Sequence, residues 1–205
     1  NAPLVQTKLA LRAVGYHYDE SGFYRNIAGT DPAAMAFVAN AGLPGYVQGH
    51  VEDEVGTMIS TGGRLTLLWQ ATDDLSFSAT YLTQEIEQDG RPEVTTGQYN
   101  QVRIPVAPQT RIDGDDSEVS GTDIDLMSAT MVYDFGWAES TTVASRIESG
   151  SQQTAQALFV SYPASAFVDS DFESLTAETR LASKFSGPFQ VLGGVYYEFV
   201  EETII

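Results

Sequence analysis

Side chains along most of this chain alternate between apolar and polar with a period of two, which admits strands and rules out amphipathic helices as the main element. From Arg64 the run Arg-Leu-Thr-Leu-Leu-Trp-Gln puts Leu65, Leu67 and Trp69 on one face. From Leu75, the face Leu75, Phe77, Ala79, Tyr81 alternates with Ser76, Ser78, Thr80 and Leu82. From Asp125, the residues Met127, Ala129, Met131, Tyr133 and Phe135 oppose Leu126, Ser128, Thr130 and Val132. After Trp137, the set Thr141, Val143, Ser145, Ile147 opposes Thr142, Ala144, Arg146 and Glu148. Two later runs set Leu175, Ala177, Leu181 and Phe185 against Thr176, Glu178, Arg180 and Lys184, then Val191, Val195, Tyr197 and Phe199 against Gln190, Gly194, Tyr196 and Glu198. With a less regular run over 8–18, this predicts about seven strands of roughly 9–13 residues, long enough to cross a bilayer at a tilt.

The connections alternate as well. Short ones fall at Ala71-Thr72-Asp73-Asp74, from Asp134 to Trp137 and at Ser186-Gly187-Pro188, each with Asp, Gly or Pro to supply turn chemistry. Long ones are expected at about 20–62, 88–122 and 149–173. Short then long, in strict order, sends every long loop from the same end of the sheet. An up-and-down membrane barrel has this asymmetry, with tight periplasmic turns and long external loops. Soluble antiparallel domains mix loop lengths between their ends. The expected fold is therefore all-β, a segment of an antiparallel up-and-down transmembrane β-barrel, with 1–205 part of one barrel domain. An odd strand count and the absence of a return strand after Ile205 predict that the parent barrel continues beyond this chain, because an open edge cannot face lipid.

Composition narrows the function. Acidic residues outnumber basic ones 28 to 10, for a formal net charge of −18. Nucleic acid, whose phosphates need Lys and Arg, is excluded as a partner, and so is an anionic cytoplasmic leaflet. There is no cysteine, which removes disulfides, thiolate metal sites and a Cys nucleophile. No Gly-x-Ser-x-Gly, Walker loop, dinucleotide fingerprint or His-Glu-x-x-His occurs, so neither an enzyme nor a bound cofactor is expected.

Several stretches carry a family resemblance. Gly62 to Leu75, reading GGRLTLLWQATDDL, resembles the strand-turn-strand unit of TonB-dependent outer-membrane receptors. Gln88-Asp89-Gly90-Arg91-Pro92 resembles an exit into an external loop, and Tyr133-Asp134-Phe135-Gly136-Trp137 another family turn. Glu178 to Ser183, followed by Gly193-Gly194-Val195-Tyr196-Tyr197, resembles a strand pair of the same family, and Gly15 to Asn26 the approach to a loop. The resemblance covers most of the chain and is weakest in the long loops. It implies a bacterial outer-membrane receptor of about 22 strands with a plugged lumen. Such a receptor imports a scarce nutrient (a ferric siderophore, haem, cobalamin or a carbohydrate) with energy passed through TonB. The plug, the TonB-contacting segment and the closing strand are expected outside this chain. The implied partners are a small-molecule nutrient, TonB and outer-membrane lipid.

External loops would bind the ligand. Tyr99, Arg103 and Arg111 are the candidates for an anionic one, with loop salt bridges to nearby aspartates as the competing reading. Asp113, Asp115 and Asp116 form a dense acidic cluster that would hold a divalent ion, against a solvated loop tip. Glu85-x-Glu87-x-Asp89-Gly90 has the oxygen spacing of half a calcium loop, but Thr96 stands where the closing carboxylate is needed. Of the two histidines, His17 reads as a satisfied or lumen-facing strand residue, and His50 lies in a loop beside Glu52, Asp53 and Glu54. Two other readings remain open: a soluble β-sandwich or small barrel binding carbohydrate or protein, with the apolar face buried, and a porin or adhesin barrel without TonB coupling.

Overall fold

The regular elements among the described residues are strands. The computed structural model describes residues 1–22, 24–26, 32, 52–89, 119–157 and 164–205. The strands are β1 (Ala2–Val5), β2 (Leu9–Glu20), β3 (Tyr24–Asn26), β4 (Glu52–Val55), β5 (Thr57–Gln70), β6 (Leu75–Asp89), β7 (Val119–Asp134), β8 (Ala138–Ala157), β9 (Ala164–Ser183) and β10 (Leu192–Ile204). Eight form one sheet in the order β1-β2-β5-β6-β7-β8-β9-β10, and β3 pairs with β4 in a separate two-stranded sheet. All pairs are antiparallel. The main sheet is thus up-and-down and open, with β1 and β10 at its edges.

Register turns the period of two into two chemically distinct faces, since each strand shows alternate residues to opposite sides. One row runs Leu11, Leu67, Ala79, Ala129, Ala144, Ala177 and Tyr197, each residue directly opposite the next. The adjacent row on that side holds Leu65, Tyr81, Met127, Arg146, Leu175 and Phe199. This is the apolar face. On the opposite side, Thr66, Thr80, Ser128, Ser145 and Thr176 form one continuous row across β5–β9, the hydroxyl face.

Short turns fix that register. Gly136 has φ +81° and donates its N–H to Asp134 Oδ1 at 2.7 Å, while Phe135 N–H reaches Ala138 O at 2.8 Å. The left-handed φ disfavours any residue with a Cβ. At the β5–β6 turn, Ala71 N–H bonds Leu75 O at 2.9 Å and Thr72 Oγ1 accepts from Asp74 N–H at 3.3 Å.

A hydrophobic core is missing from the described residues. The one buried apolar residue is Ala138, while Leu65, Leu67, Met127 and Leu175 are 37–53% exposed. The hydroxyl face is the sheltered one, with Ser60 and Ser174 each 8% exposed. Along β6–β8 it is half-buried almost throughout, whereas Ala79, Tyr81, Met127, Ala129, Ala144 and Arg146 on the apolar face are exposed.

All seven expected strands are present as β2 and β5 to β10, and the short β1 adds an eighth. Their ends differ from expectation. β8 and β9 each run 20 residues and stay paired out to Ala157↔Ala164, so most of the connection expected over 149–173 is strand. β5 begins at Thr57 and the β3–β4 hairpin lies within the span expected as the first long loop. β6 and β7 reach Asp89 and Val119, which trims the second loop slightly. The β9–β10 turn is longer than the three residues expected, because pairing stops at Ser183 and resumes at Leu192.

Two glycines test this geometry. Gly136→Ala costs about 1 kcal/mol because its Cβ must sit at positive φ. A Cβ on Gly62 would lie 2.5 Å from Tyr16 Oη and 2.7 Å from the Thr83 carbonyl, so Gly62→Val costs about 1–3 kcal/mol of overpacking. Gly187, with open space around it, tolerates alanine. Urea midpoints read from Trp69 and Trp137 fluorescence check all three.

Candidate functional site

The apolar face is banded from one end of the sheet to the other. At the short-turn end its rim is aromatic. Trp69 stacks on Phe77 at 5.4 Å between ring centroids, Tyr133 meets Phe135 edge-on at 4.5 Å, and Trp137 stacks on Phe185 at 6.4 Å. Phe135 and Trp137, 6.0 Å apart, join the last two pairs. These rings follow from aromatic residues placed at the ends of β5, β7 and β9, where the turns bring neighbouring strand ends together. Beyond the rim lie the aliphatic rows, with Ala79, Ala129 and Ala144 flooring a shallow trough of about 510 Å³ between Leu67 on one side and Tyr81 and Met127 on the other.

Past Met127 the same face becomes acidic. Asp125, Glu148, Glu173 and Glu201 stand opposite one another on four successive strands. The next row brings Glu85, Asp123 and Asp171 to the same side, with Gly150 between the two aspartates. Carboxylates directly opposed across strands repel. Arg146, at the border, relieves part of this by binding Glu148 and, at 3.0 Å from Nε, Glu173. Tyr81 donates to Asp125 Oδ1 at 2.5 Å, and Gly150 N–H to Asp123 Oδ2 at 3.3 Å.

The hydroxyl face is quieter. Ser145 and Thr176 bond at 2.6 Å and Thr66 and Thr80 at 3.2 Å, while Gln84 reaches Ser60 at 3.5 Å. Charge on this side lies near the short-turn rim, on the last two strands, and at Arg12, Glu20 and Arg64 of β2 and β5. Arg180 grips Glu178 through two nitrogens at 2.5 and 2.8 Å. In the β9–β10 turn, Lys184 Nζ lies 2.7 Å from Asp134 Oδ2 and 2.9 Å from Glu139 Oε2, tying that turn to the β7–β8 hairpin.

Tyr99, Arg103, Arg111, Asp113, Asp115, Asp116 and His50 lie outside the described residues. His17 is satisfied on the apolar face, its Nδ1 2.9 Å from Thr61 Oγ1. Glu85 and Glu87 are exposed on β6, and Gly90 and Thr96 of the half calcium loop are outside the described residues. Among the described residues, no group of three or more His, Asp or Glu side chains could hold a metal ion. The acidic band and the Lys184 clamp join residues up to 50 positions apart, and single-strand reading does not find them. The turn chemistry, which fixes register, is the signal that does.

Compared with protein-family models, curated proteins and solved structures, the chain matches none of them.

Hydrogen bonds from Lys184 to Asp134 and then to Glu139 raise the Lys184 pKa above its ordinary 10.5. A pKa raised on folding stabilises below the unfolded value and is lost as pH climbs through the folded one. Lys184→Met therefore lowers the urea midpoint at about pH 8, and the difference shrinks as pH climbs above the ordinary lysine value through the raised one.

Proposed function

We propose that this chain is wall from a TonB-dependent outer-membrane receptor, with lipid against its apolar face and its long connections outside the cell. The observation that carries the reading is the inversion of faces: the open face is apolar and the sheltered face is hydroxyl-lined. A soluble sandwich buries its apolar face, whereas a membrane barrel turns it outward and keeps a polar interior.

Dimensions support the same assignment. From Phe135 to Met127 is roughly 27 Å of strand at about 3.4 Å per residue, or about 20 Å of depth at a ~40° tilt. The apolar band of known barrels is ~25 Å tall between aromatic girdles, and the ring cluster at the turns supplies one girdle. A strand needs only about 9–11 residues to cross, so the 20-residue β8 and β9 overshoot on the long-connection side. The sequence resemblance supplies the family. Its receptors capture a nutrient with external loops, which puts Tyr99, Arg103 and Arg111 among the candidate contacts and Asp113, Asp115 and Asp116 among the candidate ion ligands. Neither catalysis nor a bound cofactor is part of this reading.

Fractionation of the source cells, followed by an immunoblot against this segment, tests it. The receptor reading expects a band several times larger than 22.2 kDa, confined to the outer membrane. A soluble band of about that mass would contradict it and favour a soluble β-domain binding carbohydrate or protein. An outer-membrane band from a parent without a plug would favour a porin or adhesin.

A further inference from the structure

Charge is partitioned between the faces of the three central strands. Away from the strand ends, every acidic or basic side chain of β6–β8 lies on the apolar face: Glu85, Glu87, Asp123, Asp125, Arg146 and Glu148. The opposite face of those strands carries charge only at the short-turn end, at Asp134 and Glu139. It presents Ser76, Ser78 and Thr80 on β6, Ser128 and Thr130 on β7, and Thr141 and Ser145 on β8, with Leu, Ile, Val and Gln between. In a chain of net charge −18, an uncharged wall in the middle of the sheet is a specific chemical environment.

We propose that the hydroxyl face of β6–β8 is a solute-facing wall for an uncharged, hydroxyl-rich ligand of the oligosaccharide class. This rests on the receptor-wall reading and narrows its list of nutrients. An anionic ligand drawn against this wall would shed water with no cation on β6–β8 to replace it, since the cations of this face, Arg12, Arg64 and Arg180, stand on the flanking strands. A cationic ligand would find no carboxylate there, and would be held instead by the acidic band on the other side of the sheet. Serine and threonine hydroxyls donate and accept at once, as sugar hydroxyls do, so each can change partner without leaving a group unsatisfied. The hydroxyl row from Thr66 to Thr176 spans five strands, roughly 19 Å at about 4.8 Å per strand. At its centre, Ser128 has no side-chain partner among the described residues, which leaves it available to a ligand. Arg12 and Glu198 close the row at its two ends, opposite Thr66 and Thr176.

The chain has no native cysteine, so a local test is open once any cysteine elsewhere in the full-length protein is replaced by serine. Ser128→Cys, and Ser145→Cys as a second reporter, are placed one at a time in the full-length protein in outer-membrane vesicles, with Ala129→Cys as the apolar-face control. Labelling by a water-soluble thiol reagent is timed with and without uncharged oligosaccharides (α-glucan, β-glucan, xylan and chitin fragments) or citrate. The expected result is protection of the Ser128 and Ser145 positions by at least one oligosaccharide, about tenfold at ten times its Kd by mass action, with no protection by citrate and no labelling at the Ala129 position. Protection by citrate, or by none of the oligosaccharides, overturns the inference while the receptor-wall reading stands. Labelling at the Ala129 position as fast as at Ser128 overturns the receptor-wall reading itself.

Discussion

Backbone pairing, rather than a hydrophobic core, organises this molecule. Apart from the short β1, each strand of the main sheet is paired with the next in register over 12 or more residues. A one-residue slip would move every side chain of a strand to the other face. The tight turns at 71–74 and 135–137 prevent that slip, because their bonds are satisfied in one register only. All of the chemistry described above, from the aromatic rim to the hydroxyl row, follows from this one constraint.

The same constraint explains how so acidic a chain carries a continuous apolar surface. Carboxylates on the apolar face are confined beyond Met127, toward the long connections, where Asp125, Glu148, Glu173 and Glu201 stand side by side. Opposed carboxylates cost free energy in proportion to how little water surrounds them. A row of them is tolerable in a hydrated zone and intolerable in hydrocarbon. Arg146 sits at the border and binds two of the four. The apolar rows need the opposite environment, since Met127 and Leu65 are each about half exposed in the bare sheet. Two environments on one face, divided across the strands, would give the wall a defined height in the proposed membrane placement.

Strand identity was legible in the sequence wherever the two faces differ chemically. Leu75 to Leu82 and Asp125 to Asp134 alternate cleanly, and both lie in strands of the sheet. Strand ends were not legible where both faces are polar. Ser149-Gly150-Ser151-Gln152-Gln153 reads as loop chemistry, yet it is held as strand by pairing with β9 through Asp169 and Asp171. β1 is four residues long and β3 three, too short for a period to show. Turn residues were found where Asp and Gly make local bonds, as at Asp134 and Gly136. The β9–β10 turn was placed too narrowly because Lys184, Phe185, Gln190 and Val191 continue the alternation after pairing ends, held instead by side-chain bonds such as Ser183 Oγ to Gln190 Oε1 at 3.0 Å. Of the site, the sequence showed which residues are acidic but not that Glu85, Asp123 and Asp171 share one row, because that depends on three registers at once.

In the proposed wall, lipid covers the apolar face and water or protein covers the hydroxyl face. Ala129 and Ser128 are consecutive in β7 and face opposite ways, so the most direct test compares Ala129→Arg with Ser128→Arg for folding into lipid vesicles. An arginine on the lipid side near the bilayer midplane costs about 2–4 kcal/mol, so Ala129→Arg is expected to lose that much folding stability and Ser128→Arg distinctly less. Equal losses, or a greater loss for Ser128→Arg, would mean that lipid does not cover the apolar face, and the sheet would have to be the wall of a water-soluble domain.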